Sequence, residues 1–204
     1  MNLDAAFRPY VIAGFWLVIL IAVPFRVRSQ ATREKLDRTQ EGVAMMIGLR
    51  LGGLAVWSGV IAFMIDPAWM AWSSAPLPAG ARWTGVGLTL VTAALLAWTL
   101  GSLGPNLTDT VVTRAAHTLV TRGPYHWVRH PFYDCMALFV CSISLMMANW
   151  FVAMSGALMF VLLAIRSRTE EQKLVGRFGE PYRAYRASTG RFWPRFFARQ
   201  AGAR

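Results

Sequence analysis

The sequence predicts an all-α fold: a polytopic membrane helix bundle of about five transmembrane helices with a cytoplasmic C-terminal helical tail. Three observations lead there. The 204 residues are 55% hydrophobic and only 15% charged, with a mean hydropathy of +0.40, whereas a soluble domain of this size is about one-quarter charged. Apolar residues gather into runs long enough to cross a bilayer, which takes about 20 residues. Basic residues flank those runs instead of mixing with them.

The first span is expected from Pro9 to Val27, the second from Val43 to Ile65 and the third from Trp83 to Leu103. A longer run from Phe132 to Ile165 exceeds one crossing, and Ala148-Asn149-Trp150 puts a polar break near its middle. It reads as two helices joined by a very tight turn. Because 34 residues are few for two crossings, the first helix is expected to begin near Arg129 or to tilt. Arg8 is the only basic residue before the first run, and Pro24-Phe25-Arg26 lacks a small-residue cleavage pattern, so the first span is read as retained. The loop from Asp66 to Arg82 is rich in Pro and Ala and carries no recognisable chemistry.

With five spans, 18 of the 21 Lys and Arg residues fall on one side, Arg8 and Arg82 fall on the other, and Arg50 lies within the second span. Positive charge stays on the cytoplasmic side, which predicts an outside N-terminus and a cytoplasmic tail in a bacterial-type inner membrane. Arg50 lies about two turns from the cytoplasmic end and is read as snorkelling to the interface, the alternative being a role in holding an acidic ligand group. The net charge of +11 does not signal nucleic acid, since no basic stripe interleaves with a soluble recognition motif. Cys135 and Cys141, six apart in one apolar run, read as small apolar residues and not as a disulfide framework or zinc site.

Residues capable of chemistry cluster in two stretches on the predicted cytoplasmic face. The first, His117 to Tyr133, holds all three histidines, His117, His126 and His130. Gly123-Pro124 makes a turn, and His130-Pro131 marks a helix entry, because Pro is favoured at a helix start. These bring His117, Tyr125, His130 and Tyr133 toward one cavity. In the second stretch, Arg166 and Glu170 are four apart and share a helix face. Alone they read as an ordinary ion pair worth a few tenths of a kcal/mol. The Glu170-Glu171 pair, isolated in a basic tail, weakens that reading. The histidine spacings of nine and four do not follow zinc patterns, so no metal is expected. No G-x-G-x-x-G follows a strand and no G-x-S-x-G elbow occurs.

The string His117-Thr-Leu-Val-Thr-Arg-Gly-Pro-Tyr-His-Trp-Val-Arg-His-Pro-Phe-Tyr133 resembles the central motif of the isoprenylcysteine carboxyl methyltransferase family. Arg166-x-x-x-Glu170-Glu171, Phe178-Gly-Glu-x-Tyr-x-x-Tyr185 and Arg191-x-x-Pro194 resemble its C-terminal motif. Where the family commonly has a small residue after the last tyrosine, this chain has Asp134. The resemblance covers about residues 115 to 195 and divides the chain into N-terminal helices one to three, residues 1–104, and a catalytic region, 105–204, with helices four and five and the tail. It implies S-adenosylmethionine as methyl donor. His117, Thr118, Leu119, Val120, Tyr125, His130, Tyr133 and Glu170 would contact the cofactor, and Arg166 would hold the acceptor carboxylate.

A carboxylate acceptor is already ionised and needs no base, which makes such an enzyme chiefly a positioning device. The implied function is methylation of a lipophilic or small acceptor, foremost an isoprenylcysteine-type carboxylate. A phospholipid amine or a thiol is the alternative and would need His130 or Glu170 as base. A second class is an NADPH-dependent membrane reductase of the sterol type, which resembles the family near Arg-His-Pro-x-Tyr. The paired glutamates argue against phosphate-bearing NADPH. A membrane scaffold or transporter is the third class, and it would place polar groups at the midplane instead.

Overall fold

The computed structural model describes residues 3–30, 42–103 and 118–195, the side chains of 28–30 excepted. Six α-helices order them: α1 Leu3–Gln30, α2 Val43–Ile65, α3 Ala79–Leu103, α4 Pro131–Met147, α5 Trp150–Phe178 and α6 Glu180–Ser188. Four of these, α1, α2, α3 and α5, are long and apolar enough to cross a membrane. The remaining apolar helix, α4, has 17 residues, the short end of the crossing range. The protein is an all-α polytopic bundle.

Helix boundaries differ from the apolar runs where charge is paired. α1 begins at Leu3 instead of Pro9, and α3 at Ala79 instead of Trp83. Buried Arg82 donates to Asp4 Oδ1 at 2.6 Å, and its guanidinium lies over Phe7, 5.7 Å from the ring centre. That ion pair extends both helices past the apolar limit. Arg8 donates to the carbonyls of Met64 and Ile65 at 2.8 Å, satisfying acceptors that the end of α2 leaves orphaned. Arg8 and Arg82, read from sequence as topology signals, thus also tie this end of the bundle together.

The tight turn in the long run occurs as expected. Ala148 takes a left-handed conformation with φ 47°, and Asn149 caps α5 by accepting from Val152 N at 3.1 Å. The loop after α2, which had no assigned part, holds this turn. Its 3-10 helix Pro67–Ser73 presents the Met70 carbonyl and Ser73 Oγ to Asn149 Nδ2, at 3.3 and 2.7 Å. Ala75 N donates to the Ala148 carbonyl at 2.7 Å. The buried turn therefore leaves few polar groups unmet.

α3 packs along α4, α2 along α5 and α1 against α3. Small residues set these distances, as is usual where lipid supplies no hydrophobic drive between helices. A Cβ on Gly85 would lie 2.6 Å from the Ser142 carbonyl oxygen and 3.0 Å from Met146 N, so α3 and α4 nearly touch backbone to backbone. One turn on, Thr89 Oγ1 lies 3.0 Å from the Gly85 carbonyl and 3.1 Å from Ser142 Oγ. Gly85→Ala is expected to force the pair apart and cost about 1–3 kcal/mol, read as a lower unfolding temperature in detergent; an unchanged transition would refute this close approach. Arg50 is exposed on α2, which agrees with a snorkelling side chain and not with one turned into a pocket.

The last apolar helix does not end at Ile165. After its apolar part, 150–165, α5 continues to Phe178 through Arg, Glu, Gln, Lys and Leu, all good helix formers. Gly179, with φ 60°, stops it and opens α6. The polar half of α5 carries the second chemical stretch out to the first.

Candidate active site

Glu171 sits at the centre of the polar end of the bundle, 2% exposed. Arg129 Nε donates to its Oε1 at 2.9 Å, and Arg191 donates through Nε to Oε1 and through Nη2 to Oε2, both at 3.3 Å. His130 Nε2 lies 3.3 Å from Oε1 and Arg186 Nε 3.8 Å from Oε2. Burial pushes this carboxyl upward. Hydrogen bonds from His130, Arg129 and Arg191 outweigh burial and hold it well below the usual carboxylate range. Glu171 is an ionised anchor.

The segment after α6 closes over that anchor. Arg129 N donates to the Gly190 carbonyl at 2.9 Å and His130 N to the Arg191 carbonyl at 3.1 Å, a short parallel bridge between Val128 and Gly190. Arg129 Nη1 also donates to the carbonyls of Arg186 and Thr189. One arginine thus joins α5, α6 and the strap that follows α6.

A second layer is more open. The His130 ring stacks on Tyr133, centroids 5.4 Å apart and 8° from parallel, with Phe192 tilted nearby at 5.8 Å. Tyr133 donates its hydroxyl to Glu170 Oε2 at 2.8 Å, and His130 Nδ1 stands 3.9 Å from the same oxygen. Glu170 is 27% exposed. Arg166 is half-buried one turn earlier on α5. Tyr125 is buried in the 3-10 helix Gly123–His126, and Tyr185 donates to its carbonyl at 2.6 Å. Burial, assisted by the Glu170 charge, pushes the Tyr125 phenol well above its usual range, so it stays neutral.

Of the residues expected at the site, His130, Tyr133 and Glu170 form one connected group, and Tyr125 and Arg166 lie on the segments that carry it. Thr118 is exposed, and Leu119 and Val120 are half-buried, in irregular chain upstream of Gly123. His117 lies outside the described residues. A cavity of about 600 Å³ opens beside His126, Trp127, Tyr185 and Arg195; none of the expected site residues that are described lines it. Among the described residues, no three His, Cys, Asp or Glu side chains gather as a metal site would require.

Gly123 fixes where this layer meets the membrane helices. Its φ is +62°, and a Cβ there would overlap Ser102 Oγ on α3. Gly123→Ala meets both a left-handed strain of about 1–2 kcal/mol and that clash. The variant is expected to be destabilised in thermal unfolding, and adding Ser102→Gly should recover the steric part alone. No loss on Gly123→Ala would contradict this docking.

Sequence reasoning missed the anchor. Glu170 and Glu171 read as one acidic pair, yet successive helical residues point about 100° apart. Glu171 faces inward to its arginines, and Glu170 alone faces the open layer. Only Glu170 is therefore left to repel phosphate, because Glu171 is already matched by Arg129 and Arg191. The available signal was Arg129, directly before His130, together with Arg191 in the terminal motif.

The sequence profile of the isoprenylcysteine carboxyl methyltransferase (ICMT) family matches residues 85–176, from Gly85 on α3 to the polar half of α5. This part of the chain carries the sequence pattern of the ICMT family. The human protein-S-isoprenylcysteine O-methyltransferase is 40% identical over 72 residues, 34% of this chain and 25% of that protein. A cobalt-zinc-cadmium resistance protein, CzcN of Cupriavidus metallidurans, is 32% identical over 151 residues, 70% of this chain and 63% of that protein. The uncharacterized protein YpbQ of Bacillus subtilis is 30% identical over 95 residues, 45% of this chain and 56% of that protein. The chain spans less than two thirds of the length of each of these relatives. The ICMT match begins within α3, so the family's segment includes the close α3–α4 contact as well as the polar layer.

Proposed function

We propose that this chain is an integral-membrane methyltransferase that uses S-adenosylmethionine to methylate a lipophilic or small acceptor, foremost a carboxylate. The observation that carries the reading is the grouping of His130, Tyr133 and Glu170 at the end of the helices matched to the ICMT family. These residues suit such a donor. Glu170 offers a partly exposed carboxylate to ammonium or hydroxyl groups, and the aromatic faces of Tyr133 and Tyr125 favour a sulfonium cation. His117, Thr118, Leu119 and Val120 would supply the remaining contacts. When bound, the donor supplies an electrophilic methyl group on a positively charged sulfur.

The protein's own part is positional. Arg166 holds the acceptor carboxylate beside Glu170, and apolar α5 and α4 give a lipophilic tail a route from the bilayer. An ionised carboxylate attacks unaided, so the barrier falls mainly through alignment. An amine or thiol acceptor would first lose a proton to His130 or Glu170. The segregation of basic residues supports a cytoplasmic face for this layer and an outside N-terminus, in a bacterial-type inner membrane.

Membranes bearing the protein should transfer labelled methyl from S-adenosylmethionine to a prenylated cysteine acid, and alkali should release the label as methanol. Alkali-stable label would move the acceptor to an amine or thiol. No transfer to any of the three acceptor types would contradict the reading.

A further inference from the structure

Two adjacent carboxylates face the two nitrogens of one buried imidazole. Glu171 Oε1 is 3.3 Å from His130 Nε2, and Glu170 Oε2 is 3.9 Å from His130 Nδ1. The first distance is within reach of a hydrogen bond and the second is not. Glu171 already accepts from Arg129 and Arg191, so it meets His130 as a pure acceptor. The ring cannot rotate to exchange its nitrogens freely. Tyr133 stacks on it and Phe192 flanks it, while the backbone N–H of His130 is fixed to the Arg191 carbonyl at 3.1 Å and holds the residue's main chain in place.

We propose that Glu171 is a positioning residue that sets the His130 tautomer, keeping the proton on Nε2 so that the Nδ1 lone pair faces Glu170. The open layer then presents two acceptors, His130 Nδ1 and Glu170 Oε2, with the Tyr133 hydroxyl already committed to Glu170. A ligand group that bridges them must bring donors. An ammonium or a pair of hydroxyls fits; a carboxylate or phosphate does not. This specificity deepens the methyl-donor reading and rests on it, since it assigns these two acceptors to the donor's ammonium or hydroxyl groups. It also places the acceptor carboxylate elsewhere, at Arg166. An acid–base role, should the acceptor need one, falls to Nδ1.

The test is ¹⁵N NMR of histidine-labelled protein in detergent micelles at alkaline pH without ligand, with His130→Asn assigning the signal among the three histidines. The wild type should show a protonated Nε2 and an unprotonated Nδ1. Glu171→Gln, whose amide can donate as well as accept, should shift the signal toward a tautomer mixture and weaken S-adenosylmethionine binding at least about tenfold. The opposite tautomer in the wild type overturns the proposal without any variant having to fold. So does a Glu171→Gln protein with unchanged tautomer and affinity. A wild type with the predicted tautomer that binds no S-adenosylmethionine supports the positioning role and refutes the methyl-donor reading instead.

Discussion

Arg129→Met is expected to destabilise the protein by about 3–5 kcal/mol, because removing one partner of a buried ion pair leaves the other charge uncompensated. Arg129 is 8% exposed and Glu171 2%, so water does little to replace the lost guanidinium. The same change removes donors to the carbonyls of Arg186 and Thr189 and so loosens the strap from Thr189 to Arg195. The double variant Arg129→Met/Glu171→Leu should recover much of the loss, since a matched apolar pair carries no buried charge. Thermal unfolding in one detergent compares the three proteins. A single variant that melts within about 2 °C of wild type would show that the cluster is not a stabilising anchor.

Glu170→Ala and Arg166→Ala should fail in different ways, although the two residues share one helix face. Glu170→Ala removes the partly exposed carboxylate that receives the Tyr133 hydroxyl and should weaken binding of S-adenosylmethionine about 100-fold, the upper scale of a lost charged hydrogen bond. Arg166→Ala should bind the donor near the wild-type level while turnover falls about 100- to 1,000-fold, because the acceptor loses its alignment. Separate measurements of donor affinity and single-turnover rate distinguish the two. Should both variants bind and turn over normally, neither residue belongs to the site.

The fold was largely legible because it follows from burial in lipid, which a run of apolar residues announces directly. The turn at Ala148-Asn149 was legible for the same reason, as a polar break in a run too long for one crossing. What escaped was pairing between segments distant in sequence. Nothing local in Asp4 and Arg82, 78 positions apart, signals that they meet and lengthen two helices. The loop around Met70 and Ser73 looked idle because its use, holding Asn149, depends on a helix that comes 76 residues later.

The site was legible in part and for a similar reason. His130, Tyr133 and Glu170 stand in motifs whose spacing points to chemistry, and they do meet. Glu171 was read with Glu170 because the two are adjacent, whereas helical geometry sends them to different neighbours. The strap was the least visible part. Its pairing to Arg129 and His130 runs through backbone carbonyls, and a backbone carbonyl has no signature in the sequence.

The most direct test is calorimetric titration of detergent-purified protein with S-adenosylmethionine and, separately, with NADPH. Saturable one-site binding of the first and no measurable heat from the second are expected. Tight NADPH binding without S-adenosylmethionine binding would contradict the methyl-donor reading and favour a membrane reductase.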